Sequence, residues 1–76
     1  MVKIRTEKAL ARGLLERRGS SRRDNRKAIT FLESVTEDED TPVTVQMLAD
    51  DWLDAFGQGL HSAPYLDAMR IAKRRG

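Results

Sequence analysis

A shortage of apolar side chains limits how this chain can fold. In 76 residues it has four valines, three isoleucines, eight leucines, two phenylalanines, one tryptophan, one tyrosine and two methionines besides Met1. Burial of all of them at about 1.5–3 kcal/mol each only balances the conformational entropy lost on ordering roughly 70 residues. Because cysteine is absent, disulfides, thiolate metal sites and thiol catalysis are excluded. The chain has room for one small domain, which self-association or a partner would help to stabilise.

Charge divides the sequence into three zones. Residues 1–35 hold ten basic and four acidic side chains, residues 36–69 hold eight acidic side chains and no lysine or arginine, and residues 70–76 hold four basic ones. The net charge of +2 therefore hides a strongly polar distribution. With 39% apolar and 34% charged residues, the composition is typical of a globular chain. No apolar run approaches the roughly 18 residues of a membrane span and no hydrophobic leader follows Met1, so we expect a cytoplasmic protein with no membrane partner.

Helical periodicity and capping residues predict a basic helical hairpin over residues 6–35. Its first helix is expected over 6–18 with the Thr6 side chain as N-cap, although Gly13 inside it costs about 1 kcal/mol in helix propensity. Its second helix is expected over 22–35, because apolar residues recur there at i, i+3, i+4 and i+7. This stripe consists of Ala28, Phe31, Leu32 and Val35.

An acidic linker over residues 36–41 is predicted to separate this hairpin from a second helical pair over 42–75. Thr41 is expected to cap the third helix, with Pro42 at the first helical position, where its missing N–H costs nothing. Glycines end this helix, and Ser62–Pro64 begins the fourth. The apolar stripes consist of Val45, Leu48, Ala49, Trp52 and Phe56 in the third helix and Tyr65, Ala68, Met69 and Ala72 in the fourth. The predicted fold class is all-α, a small single domain over residues 1–76 with three to four short helices and room for a short extended segment at the N-terminus.

No catalytic or metal-binding constellation stands out in the sequence. His61 is the only histidine, and it lies in a turn with no nucleophile beside it. Asp50 and Asp54 are one helical turn apart but lack the further ligands of a calcium or carboxylate–histidine site. The acidic run 37–40 lacks the glycine that a calcium loop needs, so these carboxylates are expected to form a solvated acidic face. We therefore expect no enzymatic activity, no metal and no cofactor.

Six cations lie within eleven residues around the predicted turn between the first two helices. They are Arg17, Arg18, Arg22, Arg23, Arg26 and Lys27. Four of them occupy the first turns of the second helix, where cations oppose the macrodipole, so local stability does not account for them. Arginine is a planar donor suited to phosphate, and no aromatic residue precedes Phe31 to stack the bases of a single strand. The sequence therefore predicts a small non-enzymatic accessory or regulatory factor that binds duplex or structured nucleic acid through this cluster.

Other interpretations of the charge pattern remain open. The basic cluster can pair with the acidic half of the same chain or of another copy, or it can be a solvated, solubilising face. The alternative function is a protein–protein interaction module, an adaptor, inhibitor or assembly component that docks through its acidic and aromatic second half. The docking residues predicted for it are Trp52, Phe56, Asp50, Asp51 and Asp54.

Homo-oligomerisation or a protein partner is also expected from the apolar residues. Four short helices do not easily cover ten large side chains, so part of this surface is predicted to meet another chain. The residues concerned are Leu10, Leu14, Phe31, Leu32, Val45, Leu48, Trp52, Phe56, Tyr65 and Met69.

The N-terminal part of the chain loosely resembles the ribbon-helix-helix repressors. Val2–Arg5 alternates as a short strand would, and a helix, the turn Gly19–Ser21 and a second helix follow. In that family a basic strand reads the major groove as a dimer, so the resemblance would make Lys3 and Arg5 the base readers. The family buries apolar residues in the first turn of its second helix, where this chain has Asp24–Arg26. Because of this departure, the resemblance does not establish membership.

Overall fold

Four helices pack as two pairs around one core. A computed structural model describes residues 4–17 and 22–75. The helices are α1 (Glu7–Arg17), α2 (Arg22–Glu37), α3 (Val43–Gly57) and α4 (Ser62–Arg75). α1 packs mainly against α4, and α2 packs mainly against α3. The described residues include no strand, so the predicted all-α single domain is confirmed, and Ile4 and Arg5 form no ribbon. Val2 and Lys3 lie outside the described residues.

The starts of α1 and α3 differ in how well the sequence predicts them. The backbone N–H of Ala9 donates to Thr6 Oγ1 over 3.1 Å, which confirms Thr6 as the N-cap of α1. At α3 the N-cap is Pro42, which has no side chain to accept a hydrogen bond. The Thr41 hydroxyl instead donates to Asp38 Oδ2 over 3.0 Å. The prediction that Thr41 caps α3 is therefore wrong, because α3 begins at Val43 with Pro42 as N-cap, and Thr41 lies one residue before the cap.

The acidic linker is an ordered turn built around Asp38. Because α2 continues to Glu37, the linker covers residues 38–42 and not 36–41. Asp38 is only 7% exposed, and its Oδ1 accepts the backbone N–H of Asp40 over 3.0 Å. Its carbonyl oxygen accepts the side-chain amide of Gln46 over 2.6 Å, which joins the turn to α3. Asp38 thus corrects the expectation that all these carboxylates form a solvated face.

A glycine with a left-handed backbone ends α3. Gly59 has φ of 81°, a conformation that costs glycine little and other residues more. The N–H of Leu60 donates to the carbonyl of Ala55 over 2.8 Å, and the N–H of Gly59 donates to that of Phe56 over 3.1 Å. These two bonds form a Schellman motif, which confirms the predicted glycine stop.

The core draws on all four helices. Its buried apolar residues are Ile4, Leu10, Ala11, Leu14, Ala28, Phe31, Leu32, Val35, Val45, Ala49, Trp52, Phe56, Ala68 and Ile71. The predicted stripe of α2 is entirely buried, and that of α3 is buried except for Leu48, which is half-buried. In α4 the buried line is Pro64, Ala68 and Ile71, whereas Tyr65 and Met69 lie at its edge. Tyr65 stays at the edge, where its hydroxyl donates to Asn25 Oδ1 over 3.3 Å.

Four short helices do cover the apolar residues that were expected to need a second chain. Seven of those ten side chains are buried, and Leu48, Tyr65 and Met69 are half-buried. Each stripe faces another helix because α1 lies on α4 and α2 lies on α3. The argument for self-association from an uncovered core is therefore wrong, although the oligomeric state itself stays a prediction.

Gly13 lets α1 approach the ring of Phe31 closely. A Cβ atom built on Gly13 would lie less than 3.0 Å from three atoms of the Phe31 ring. Real side chains do not adopt contacts this short, so any larger residue would push the ring out of place. Gly13 thus lowers the helix propensity of α1, but the close packing of α1 against Phe31 requires a residue without a side chain there.

Candidate nucleic-acid interface

A groove runs along the outer side of α2, beside the end of α1. It has a volume of about 510 Å³. Its lining residues are Arg17, Arg23, Arg26, Lys27, Thr30, Phe31 and Ser34. Residues 23, 27, 30 and 34 are spaced i, i+4, i+7 and i+11, so they form one line along α2. The groove is cationic at the start of α2 and carries the hydroxyl groups of Thr30 and Ser34 at its other end.

The groove brings together four of the six cations that the sequence predicts as a binding cluster. They are Arg17 from the last turn of α1 and Arg23, Arg26 and Lys27 from the first turns of α2. Arg18 lies outside the described residues. Arg22 begins α2, but its side chain also lies outside the described part of the structure.

Arg17 is held in place by its neighbours. Its guanidinium carbon lies 4.3 Å from the centre of the Phe31 ring, a cation–π contact. Its Nη1 also donates to the carbonyl oxygen of Gly13 over 3.1 Å. The distance from this nitrogen to Glu16 Oε2 is 3.9 Å, and both side chains are substantially exposed, so this ion pair is weak. Arg17 is therefore ordered mainly by stacking and by a backbone hydrogen bond.

Sequence reasoning missed the part that Gly13 and Phe31 play in this groove. In the sequence, Phe31 is one member of an apolar stripe, and the spacing of that stripe does not indicate which helix Phe31 contacts. Gly13 reads as a weakness in α1. The sole hint in the sequence was a glycine placed one helical turn before an arginine, and that spacing is too common to assign a role.

The groove cations are not neutralised by the acidic half of the chain. In the part of the chain that the structure describes, Arg23, Arg26 and Lys27 have no carboxylate within ion-pairing distance. The carboxylates that do pair with arginine include Glu16, which is weakly paired with Arg17 at 3.9 Å, and Glu7, which lies 3.4 Å from Arg74. The interpretation that the cluster pairs with the chain's own acidic residues is therefore wrong for these three cations.

The start of α2 makes this cluster electrostatically unfavourable in the absence of a ligand. The first N–H groups of a helix carry a partial positive charge, and Arg23 adds a full charge in the first turn beside the single acidic residue Asp24. Arg26 and Lys27 add two more in the second turn. An anion in the groove would be attracted by both the helix end and the side chains. The arrangement is thus suited to bind phosphate or carboxylate groups.

The aromatic docking residues predicted for the alternative function are part of the core. Trp52 is 3% exposed and Phe56 is 4% exposed, so neither forms a surface for a partner. Trp52 Nε1 donates to Asp67 Oδ2 over 3.1 Å, which ties α3 to α4. This is a correction to the predicted interface, and its physical reason is that the stripe of α3 faces α2 and the other helices.

The acidic docking residues remain on the surface. Asp50, Asp51 and Asp54 are all exposed; Asp50 and Asp54 lie on the outer side of α3, and Asp51 lines a groove with Asp67 and Arg70 of α4. In the same region Val43 is 68% exposed and Met47 is 61% exposed. The outer side of α3 therefore combines apolar residues near its start with carboxylates near its end.

The remaining candidates for chemistry do not assemble into a site. His61 is exposed, and its ring lies 5.6 Å from the ring of Phe56. Within residues 4–17 and 22–75, no three histidine, aspartate or glutamate side chains are grouped so that they could hold a metal ion. None of the helices described is long and apolar enough to cross a membrane.

Comparison with protein-family models, curated proteins and solved structures finds no significant match to this chain.

Proposed function

We propose that this protein is a non-enzymatic accessory or regulatory factor that binds duplex or structured nucleic acid through the groove beside α2. The observation that carries the proposal is the convergence of Arg17, Arg23, Arg26 and Lys27 on one groove, with no carboxylate among the lining residues that the structure describes. A polyanion is the ligand that such a surface attracts most strongly, because several phosphates can meet several cations at once.

The spacing of the cations suits a phosphate backbone. Arg23 and Lys27 are four residues apart on α2, which is about 6 Å along the helix axis. Successive phosphates of one duplex strand advance about 3.4 Å along the duplex axis. Two steps along the strand advance about 7 Å, so two long side chains about 6 Å apart can reach two phosphates of one strand, while Arg17 contributes a third cation from the end of α1.

The chemistry of the groove favours contacts with the backbone over contacts with bases. Phe31 is 4% exposed and is covered by Arg17, so its ring offers no stacking surface for a base. Phosphate contacts position a protein on nucleic acid and carry no direct sequence information. We therefore expect affinity that depends on salt and varies little between unrelated duplex sequences.

The test is the salt dependence of binding to a short DNA or RNA duplex, measured by fluorescence anisotropy. Four phosphate contacts predict that affinity falls about 150-fold between about 0.05 M and about 0.2 M salt. In the triple variant Arg23→Ala, Arg26→Ala, Lys27→Ala, we expect the slope of log K against log salt to be smaller by about 2–3. The substituted residues lie outside the core, so the helical circular dichroism should not change.

A second triple variant controls for the loss of net charge. Arg5, Arg12 and Lys73 are exposed and do not line the groove. Their replacement by alanine removes the same charge, and we expect the salt slope to change by less than about one. Equal losses in the two variants would contradict the groove as the binding site. If the wild-type protein shows no salt-dependent binding to either duplex, the nucleic-acid function is wrong and a protein partner is the better explanation.

A further inference from the structure

The outer side of α3 is a helix face without a partner. Val43, Met47, Asp50 and Asp54 are spaced i, i+4, i+7 and i+11, and all four are exposed on the side opposite the core. We call these four residues the α3 stripe. In the described part of the chain, neither aspartate has a cationic side chain within ion-pairing distance. The stripe therefore presents unneutralised negative charge beside exposed apolar surface.

The α3 stripe matches the groove beside α2 in length and in charge. The line of groove residues from Arg23 to Ser34 and the stripe from Val43 to Asp54 each cover eleven residue steps, about 16 Å of helix. The cations lie at the N-terminal end of the α2 line, and the aspartates lie at the C-terminal end of the α3 stripe. Two such helices placed antiparallel bring the aspartates onto the cations.

The same antiparallel placement is favourable along the rest of the two helices. It brings Val43 and Met47 over the end of the groove where Thr30 and Ser34 lie, away from the cations. It also places the partly negative C-terminal end of α3 beside the partly positive N-terminal end of α2. Both the side-chain charges and the helix ends are therefore complementary in this arrangement.

We propose that the α3 stripe of one copy docks antiparallel into the groove beside α2 of a second copy. The two surfaces cannot meet within one chain, because α2 and α3 pack side by side with both surfaces facing outwards. The segregated charges favour a second copy as the occupant, since every copy carries both halves of the contact. Because the contact joins two different surfaces, the interface is heterologous.

This inference goes beyond the proposed function and does not depend on it. Nucleic acid and the α3 stripe of a second copy would occupy the same groove, so each is expected to exclude the other. Self-association can be measured without nucleic acid, and nucleic-acid binding can be measured at protein concentrations where self-association is absent. Failure of one proposal is therefore distinguishable from failure of the other.

The test is sedimentation velocity of the full chain with a charge-exchange pair of variants. We expect the wild-type protein to form a dimer or larger species at about 0.02 M salt and to become monomeric at about 1 M salt, where the Debye length is near 3 Å. Arg23→Glu with Arg26→Glu should be monomeric at low salt, and so should Asp50→Lys with Asp54→Lys. An equimolar mixture of these two variants should associate again, because each restores the complement that the other has lost.

A matched control makes the same change in net charge as the α3 variant, but at positions outside the α3 stripe. Glu37→Lys with Glu39→Lys alters the net charge as much as the α3 variant does, at exposed positions outside the α3 stripe. This control should still associate, and circular dichroism should show that all variants remain helical. A wild-type protein that is monomeric at low salt, a mixture that fails to associate, or a control that is lost together with the α3 variant would each overturn the proposal.

Discussion

Alanine at Gly13 should destabilise this protein, against the usual effect of replacing glycine inside a helix. Helix propensity alone favours alanine by about 1 kcal/mol. The new Cβ atom, however, would lie less than 3.0 Å from three atoms of the Phe31 ring, which is buried in the core. Overpacking of this kind costs about 1–3 kcal/mol, and three simultaneous contacts with a rigid ring place it at the upper end. We expect the free energy of unfolding to fall by about 2 kcal/mol and the Tm by about 10 °C.

Two other glycines serve as controls within the same chain. A Cβ atom at Gly57 meets nothing within 4 Å, so Gly57→Ala should leave stability unchanged or raise it by up to about 1 kcal/mol. A Cβ atom at Gly59 also meets open space, but φ of 81° is strained for alanine. Gly59→Ala should therefore cost about 1–2 kcal/mol through the backbone alone.

The measurement is urea denaturation followed by circular dichroism, with thermal unfolding as a second readout. If the clash with Phe31 is the cause, the double variant Gly13→Ala, Phe31→Leu should be more stable than the sum of the two single effects predicts. The reasoning is refuted if Gly13→Ala is as stable as the wild-type protein, or if the two effects simply add.

Two further predictions concern hydrogen bonds that join the elements. Trp52→Phe removes the donor to Asp67 and leaves unfilled space in the core. It should therefore lower the free energy of unfolding, measured by urea denaturation, by about 2–3 kcal/mol. A variant as stable as the wild-type protein would show that this hydrogen bond contributes nothing. Asp38→Ala removes the acceptor of the Thr41 hydroxyl and of the Asp40 N–H and should cost about 1–3 kcal/mol. Its effect should not add to that of Thr41→Val, because both substitutions break the same bond; full additivity would contradict the geometry of the turn.

Local rules account for the elements that could be predicted from the sequence. The spacing of Ala28, Phe31, Leu32 and Val35 predicts a buried face of α2, since a helix with that period presents these residues together whatever it packs against. The Thr6 cap and the glycine stop after α3 depend on backbone groups within a few residues. Such features need no knowledge of the rest of the fold.

Predictions failed where local rules compete with one another. Thr41 next to Pro42 is a typical helix start, yet the Thr41 hydroxyl bonds to Asp38 three residues earlier. Both arrangements satisfy a polar side chain, and the choice between them depends on how α2 and α3 are joined. Likewise, the sequence is equally consistent with Trp52 as a docking residue and as a core residue, because it does not indicate which helix Trp52 contacts.

The sequence by itself determined that the chain is helical, where most of its helices begin and end, and that its charges are segregated. These features follow from periodicity, capping and composition, which are properties of neighbouring residues. Only the tertiary structure decided that Gly13 admits the Phe31 ring, that this ring orders Arg17, and that four cations surround one groove. These relations join residues of α1 and α2 across the space between two helices. They depend on which faces meet and at what distance, and no spacing along the chain contains that information.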